Sequence, residues 1–462
     1  MNATGPLPHV EFAGPGSAPP TAPLTWGQRA IWEAIVRTAP DDHYFNFGRV
    51  LKVPGSRTVA EVCTALAALV ERHGALRTTM SDAFRARPPE PYGNAEPYGN
   101  AEPYGNAEPY GRAEPYQRLA EKGRLPVVVT TEDPDRVLGE LAARPFDYFG
   151  EWPVRVALVL DGDRVAHVVL VFCHLAADGL GAEVALRDLR ILLLRGPDVR
   201  RPGAAQPLDL ARWQAGTEGR RAAETAAAHW EREYRRIPPA MFSAPSGSPA
   251  GPPVWRALLR SPALELAVRS IAAAHGASTS TVLLTAVTEL VGRFTGHETC
   301  AVLPISANRF RRDTTDIVAT MSQEGLFTLD RREAPFADLL RAAGPAALRA
   351  YRSAYHDPAD RNRITASVSA ERGEPIHPYC CFNDMRFADP GPARCDPAEI
   401  TAALARTSVT WPMSQDKLNC RFCVHLTTEG VSLTADTRYL SRPDMERYLL
   451  ELESLLVEAA VR

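Results

Sequence analysis

From Val165 to Phe172 the chain runs apolar but for His167, and it then breaks into Cys173-His174-Leu-Ala-Ala-Asp178-Gly179. Such a run reads as a buried strand, and a buried strand needs a covering layer on each face. Just before it, Val154–Leu160 alternates, and Asp161-Gly162-Asp163 supplies a turn, so the two runs form a hairpin. After it, Ala182 to Arg195 carries helical spacing and ends at Gly196. His174 therefore stands where a rigid strand opens into a strand-to-helix loop. That is a favoured position for a chemically active group, because the sheet aims the side chain.

Helices recur on both sides of this hairpin. Thr58 and Glu61 make a capping-box pattern, and Val59, Val62, Leu66, Leu69 and Val70 follow on one helical face until Gly74. Thr281 to Thr295 is apolar nearly all round, as a buried helix must be, and stops at Gly296. The Pro-rich stretch from Ile237 to Pro253 reads as a crossover between two halves. A chain of 462 residues, 45% hydrophobic and 23% charged, suits two domains with sizeable cores. The expectation is two α/β lobes, residues 23–214 and 215–462, with a cleft or channel between them.

Bulk properties exclude several classes. With 52 basic and 55 acidic residues and a net charge of −3, the chain lacks the positive field that nucleic-acid binding needs. No stretch is apolar over the length of a bilayer, so no membrane partner is expected. Residues 1–22 are rich in Gly, Pro and Ala with no basic start and no apolar block, which predicts a flexible tail rather than a secretion signal. The predicted location is cytoplasmic. The hexamer Glu90-Pro-Tyr-Gly-Asn-Ala repeats at Glu96 and Glu102 and decays by Glu114. Its units carry one Tyr and no aliphatic residue larger than Ala, too little to offset ordering entropy, so residues 90–114 read as an inserted surface loop. Eight cysteines are scattered through the chain. Cys420-x-x-Cys423 with His425 nearby invites a metal reading. A structural zinc site takes four ligands, however, and no second Cys pair exists, so buried strand thiols and no metal are expected.

The motif His174-xxx-Asp178-Gly179 is weak alone, but it resembles the HHxxxDG hallmark of the condensation-domain superfamily of nonribosomal peptide synthetases, with Cys173 in place of the first His. Further segments are similar to that family in family order. They include Pro23-Leu-Thr-Trp-Gly-Gln-Arg-Ala-Ile-Trp32, Arg72-His-Gly-Ala-Leu-Arg-Thr-Thr-Met80, Pro115-Tyr-Gln-Arg118 and Pro145-Phe-Asp147 with Pro153 and Arg155. Leu208-Asp-Leu-Ala-Arg-Trp-Gln214, Pro304-Ile-Ser-Ala-Asn-Arg309 and Tyr379-Cys-Cys-Phe-Asn383 continue the match. The family's GxFxNT segment is replaced by Ala319-Thr-Met-Ser-Gln323.

The resemblance implies a fold of two chloramphenicol-acetyltransferase-like α/β lobes in a V-shaped pseudo-dimer with a central channel. It implies a stand-alone condensation-type acyltransferase joining an acyl thioester to an amine or hydroxyl acceptor. No cofactor would be bound; the acyl group would arrive on phosphopantetheine of an acyl or peptidyl carrier protein acting in trans, or on coenzyme A. His174 is the implied catalytic residue, since a near-neutral imidazole can take or orient the acceptor's proton. Asp178, Gly179 and Arg309 are implied structural members of the motif, Asp178 pairing with Arg309 of the opposite lobe. Cys173 and Asn383 are candidates to line the channel. Strand alternation nevertheless expects Cys173 to face away from His174 and to pack. The rival reading is a non-catalytic scaffold that docks a carrier protein or tailoring enzyme.

Overall fold

The computed structural model describes residues 9–13, 21–38, 42–80, 116–199, 204–243, 245, 251–331, 334–386, 389, 391–415 and 421–462. The hexamer repeat and Cys420 lie outside them. The described chain divides into two units: one takes the residues up to Arg220 together with Arg309–Ser322, the other takes Arg221–Asn308 and Gln323–Arg462.

The first unit runs β1 (His9–Ala13), β2 (Thr21–Pro23), α1 (Trp26–Thr38), β3 (Phe47–Lys52), α2 (Val59–Arg72), β4 (Thr78–Met80), β5 (Tyr116–Leu119), β6 (Lys122–Thr130), α3 (Pro134–Ala142), β7 (Val154–Asp161), β8 (Arg164–Phe172), α4 (Gly179–Arg195) and α5 (Pro207–Ala215). Helix α6 (Thr217–Arg236) crosses the boundary at Arg220. The main sheet has the order β1-β6-β7-β8-β3, and β2-β5-β4 form a smaller one.

The β7–β8 hairpin turns at Gly162, whose φ of 61° is a conformation glycine adopts at no steric cost. Along β8 the side chains alternate between two cores. Val168, Leu170 and Phe172 pack with Leu66 and Leu69 of α2 and Leu189 of α4, whereas Val169, Val171 and the following Cys173 pack with Trp32 and Ile35 of α1. The strand is thus covered on both faces, which is why it reads as a nearly unbroken apolar run. Helix α2 has the full capping box: Thr58 Oγ1 accepts from the Glu61 N–H, and the Glu61 carboxylate accepts from the Thr58 N–H at 2.7 Å. His73, just past α2, is buried and contacts Asp188 of α4 at 3.1 Å.

Two expectations need correction. The N-terminal residues are not tail throughout: β1 pairs antiparallel with β6, burying Val10 and Phe12, and β2 pairs with β5. The alternation His-Val-Glu-Phe-Ala suffices to add an edge strand, with apolar residues in and polar residues out. Nor is the C-terminal part continuous from residue 215, because Arg309–Ser322 joins the first unit. Val318 enters the core shared by α2 and α4, and Ile317 and Met321 are buried too.

The second unit contains β9 (Val254–Arg260), α7 (Pro262–His275), α8 (Thr279–Thr295), β10 (Thr299–Ser306), β11 (Gln323–Glu324), β12 (Phe327–Asp330), α9 (Phe336–Ser353), α10 (Pro358–Arg372), β13 (Cys380–Asp384), α11 (Pro397–Ala403), β14 (Ser408–Gln415), β15 (Phe422–Thr427), β16 (Gly430–Asp436) and α12 (Arg442–Val461). Its eight-stranded sheet has the order β11-β10-β13-β15-β16-β9-β14, with β12 also on β10. Helix α8 is buried along most of its length and ends at Gly296 in the left-handed region. Among the described residues no helix is long and apolar enough to cross a membrane.

Candidate active site

Strand β8 ends at Phe172, and the turn His174–Ala176 delivers the chain to Asp178, the N-cap of α4. The Asp178 carboxylate accepts from the Gly181 N–H at 2.8 Å, so the helix start itself locks the loop. Arg309 then grips the same carboxylate in a two-pronged pair, Nη1 to Oδ2 at 2.9 Å and Nη2 to Oδ1 at 2.7 Å. The backbone N–H groups of Met321 and Ser322 each donate to Oδ2 at 3.0 Å, and the Ser322 hydroxyl does so at 2.9 Å. Both partners are nearly inaccessible, with side chains 2% and 8% exposed. Burial alone would raise the Asp178 pKa; the Arg309 charge and these donors hold it below the ordinary carboxylate range. The pair lies within one unit, because Arg309 belongs to the segment that joins the first unit.

The same segment closes over the His174 backbone. The Thr320 hydroxyl donates to the His174 carbonyl, and the Asp178 N–H donates to the Ala319 carbonyl at 3.2 Å. The contact leaves no room for side chains. A Cβ on Gly181 would come within 2.9 Å of the Ala319 carbonyl oxygen, and one on Gly27 within 2.2 Å of that of Thr320. Sequence reasoning singled out Gly179, which is the first residue of α4 and partly exposed. The close approach falls instead on Gly181. Thr320, Met321 and Ser322 were likewise missed as contacts, because the bonds are largely made by backbone, which every residue type supplies equally.

His174 is partly buried, with the Phe47 ring edge-on at a centroid distance of 5.4 Å. Its Nδ1 is shielded from solvent and has no hydrogen-bond partner. Burial pushes its pKa below the usual imidazole value, against the opposing charge of Asp178. The ring is therefore neutral at pH 7 and able to accept a proton.

Cys173 follows the other face. Its N–H donates to the Pro153 carbonyl at 3.0 Å, and its side chain borders a recess with Leu24, Gln28, Gln117 and Tyr148, in the core beside α1. Burial pushes its thiol pKa up to about 12, so it is not a thiolate at neutral pH. Cys173→Ala is expected to cost about 1 kcal/mol of stability and to leave turnover within about threefold of wild type. Iodoacetamide should leave Cys173 unmodified in the folded protein. Rapid labelling, or loss of product in Cys173→Ala, would show the thiol takes part in chemistry.

Asn383 lies on β13 of the second unit, in register with His425 on β15. Cys381, Cys423 and His425 there bring ligand atoms within 4.8 Å of one another. Cys423 is disulfide-bonded rather than the free strand thiol expected, so its sulfur is not open to a metal. The remaining pair falls short of a metal-binding set.

A model of the condensation domain matches residues 112–351, more than half of the chain. Phosphinothricin tripeptide synthetase PhsC of Streptomyces viridochromogenes is 26% identical over 324 residues, which are 68% of this chain and 28% of that protein. The chain thus spans little more than a quarter of that relative's length. Among solved structures, a condensation domain mediating chain release from the enacyloxin polyketide synthase superposes with a TM-score of 0.67 at 18% identity, covering 98% of this chain and 85% of that one. The condensation domain of the Monacolin K polyketide synthase MokA gives a TM-score of 0.68 at 16% identity, covering 96% and 98%.

Proposed function

Because the chain belongs to the condensation-domain family, we propose that it is an acyltransferase joining an acyl thioester to an amine or hydroxyl acceptor. The thioester would be carried on the phosphopantetheine of a carrier protein delivered by a partner, or on coenzyme A. The observation that carries this reading is His174 itself: a desolvated, neutral imidazole whose loop is held by the Asp178–Arg309 pair. As the acceptor nitrogen attacks the thioester carbonyl, its proton passes to the His174 ring. The C–S bond breaks as the C–N bond forms, and the leaving thiolate takes the proton back. The acyl group arrives activated, so this route requires no covalent enzyme intermediate.

The test is intact-mass detection of product after mixing the protein with acyl-loaded carrier proteins, and separately acyl-coenzyme A, each with amine and hydroxyl acceptors. Mass transfer to an acceptor supports the proposal. Stable binding of a carrier protein with no transfer from any donor would replace it with the scaffolding reading, which nothing in the site favours.

A pH dependence follows from the imidazole. The base form is lost only as pH falls through a pKa lowered from about 6.5. With a hydroxyl acceptor, which does not titrate in this range, the logarithm of kcat/KM should fall on the acid side with a midpoint below 6.5. A midpoint above 7 with that acceptor would point to a different base.

A further inference from the structure

The sheet of the second unit has two unlike faces. Phe382, Val424, Leu433 and Ala257 form one row across β13, β15, β16 and β9, and all lie in the core. Neighbouring positions on a strand point to the opposite face. There, in register, run Cys381, Cys423, Thr434 and Arg256, and beside them Asn383, His425, Ser432 and Leu258. This second face carries most of the sheet's polar groups: Arg260 on it is exposed and pairs with Glu429, Asp436 on it pairs with Arg438, and Arg256 is its other arginine.

Arg256 is half-buried; its Nε donates to Thr434 Oγ1 at 2.8 Å, and no described carboxylate pairs with it. Several part-buried arginines of this unit answer acids, Arg331 with Glu289, Arg361 with Glu324, Arg386 with Asp384 and Arg438 with Asp436, while Arg269 and Arg421 bond backbone carbonyls. Near Arg256 stand hydroxyls and His425, whose Nδ1 is shielded and has no hydrogen-bond partner. Burial, and secondarily the charge of Arg256, push the His425 pKa down to about 4, so it adds no second charge.

We propose that Arg256 anchors a subsite for the carboxylate of a small molecule, on the sheet face that also carries Thr434, Ser432 and His425. A guanidinium already aligned through Nε presents its remaining N–H groups as a planar fork, which matches a carboxylate. One desolvated cation among neutral donors balances one negative charge; a phosphate dianion would leave a second one uncompensated. The occupant is a free carboxylic acid of small-molecule size, held through its carboxylate by the guanidinium fork.

The probes are 4-aminobenzoate, its neutral isostere 4-aminobenzamide, and inorganic phosphate, titrated calorimetrically into the full chain. We expect the carboxylate to bind at least about 10-fold tighter than the amide. Arg256→Gln should erase that preference with an unchanged or raised melting temperature, because it removes an unpaired, half-buried charge. Arg256→Lys, which keeps the charge and loses the fork, should retain part of the preference and serves if the Gln variant fails to fold. Equal binding of both probes, no binding at about 20 mM, a preference that survives Arg256→Gln, or phosphate outcompeting 4-aminobenzoate would each overturn the subsite. Arg256-dependent binding of 4-aminobenzoate would uphold the subsite whether or not acyl transfer is detected.

Discussion

His174→Ala is expected to lower turnover by about 10²–10⁴-fold, the usual worth of a positioned acid–base group. The fold should barely notice. The Thr320 hydroxyl holds the His174 carbonyl, which alanine keeps, and the loop's ionic anchor lies four residues on at Asp178. What is lost is the edge contact with Phe47 and a ring nitrogen that makes no hydrogen bond. Melting temperature and turnover measured on the same preparation separate the two effects. Turnover near wild type in a folded His174→Ala protein would end the case for this imidazole. A large drop in melting temperature would mean the ring is structural.

The strand-loop-helix that carries His174 was legible because several signals coincide there. An apolar run, a turn with glycine at its tip and a helix ended by Gly196 each constrain the chain independently, and they agree. The N-terminal strands were not legible. The Gly/Pro-rich composition around them outweighed the short alternation of Val10 and Phe12, and pairing with β6 could not be inferred from five residues. The Cys420-Cys423 spacing is equally silent on whether Cys423 is a thiol or half of a disulfide.

The segment Arg309–Ser322 shows a different limit. Of the arginines in this segment, Arg309 pairs with Asp178 while Arg311 pairs with Asp313. Met321, Ala319 and Thr320 bind the motif through backbone groups or a single hydroxyl. In this chain the Met321 and Ser322 N–H groups supply Asp178 with donors that do not depend on which side chains stand at those positions.

Asp178→Ala should destabilise the first unit by about 3–5 kcal/mol, the penalty of removing one partner from a buried ion pair. The alanine leaves the Arg309 guanidinium, with its side chain only 8% exposed, without its counter-charge. It also strands the Gly181, Met321 and Ser322 N–H donors, of which the first caps α4. Urea unfolding followed by circular dichroism measures the loss, and hydrogen exchange should show the first turn of α4 opening first. The pair's own sign can be read from pH. The Asp178 pKa is lowered in the fold, so its contribution is present above the ordinary carboxylate pKa of about 3.9 and is lost as pH falls through the lower, folded value. Wild type should therefore keep this contribution at pH 5. Asp178→Leu combined with Arg309→Met, which removes both charges, should recover much of the stability, since apolar replacement of a buried pair is often neutral. It should not recover turnover, because the loop that aims His174 would no longer be fixed by directional bonds. An Asp178→Ala protein as stable as wild type would show that the guanidinium finds water or another acceptor. The clamp would then be dispensable for folding, and any loss of turnover would have to come from Asp178 acting on His174 directly.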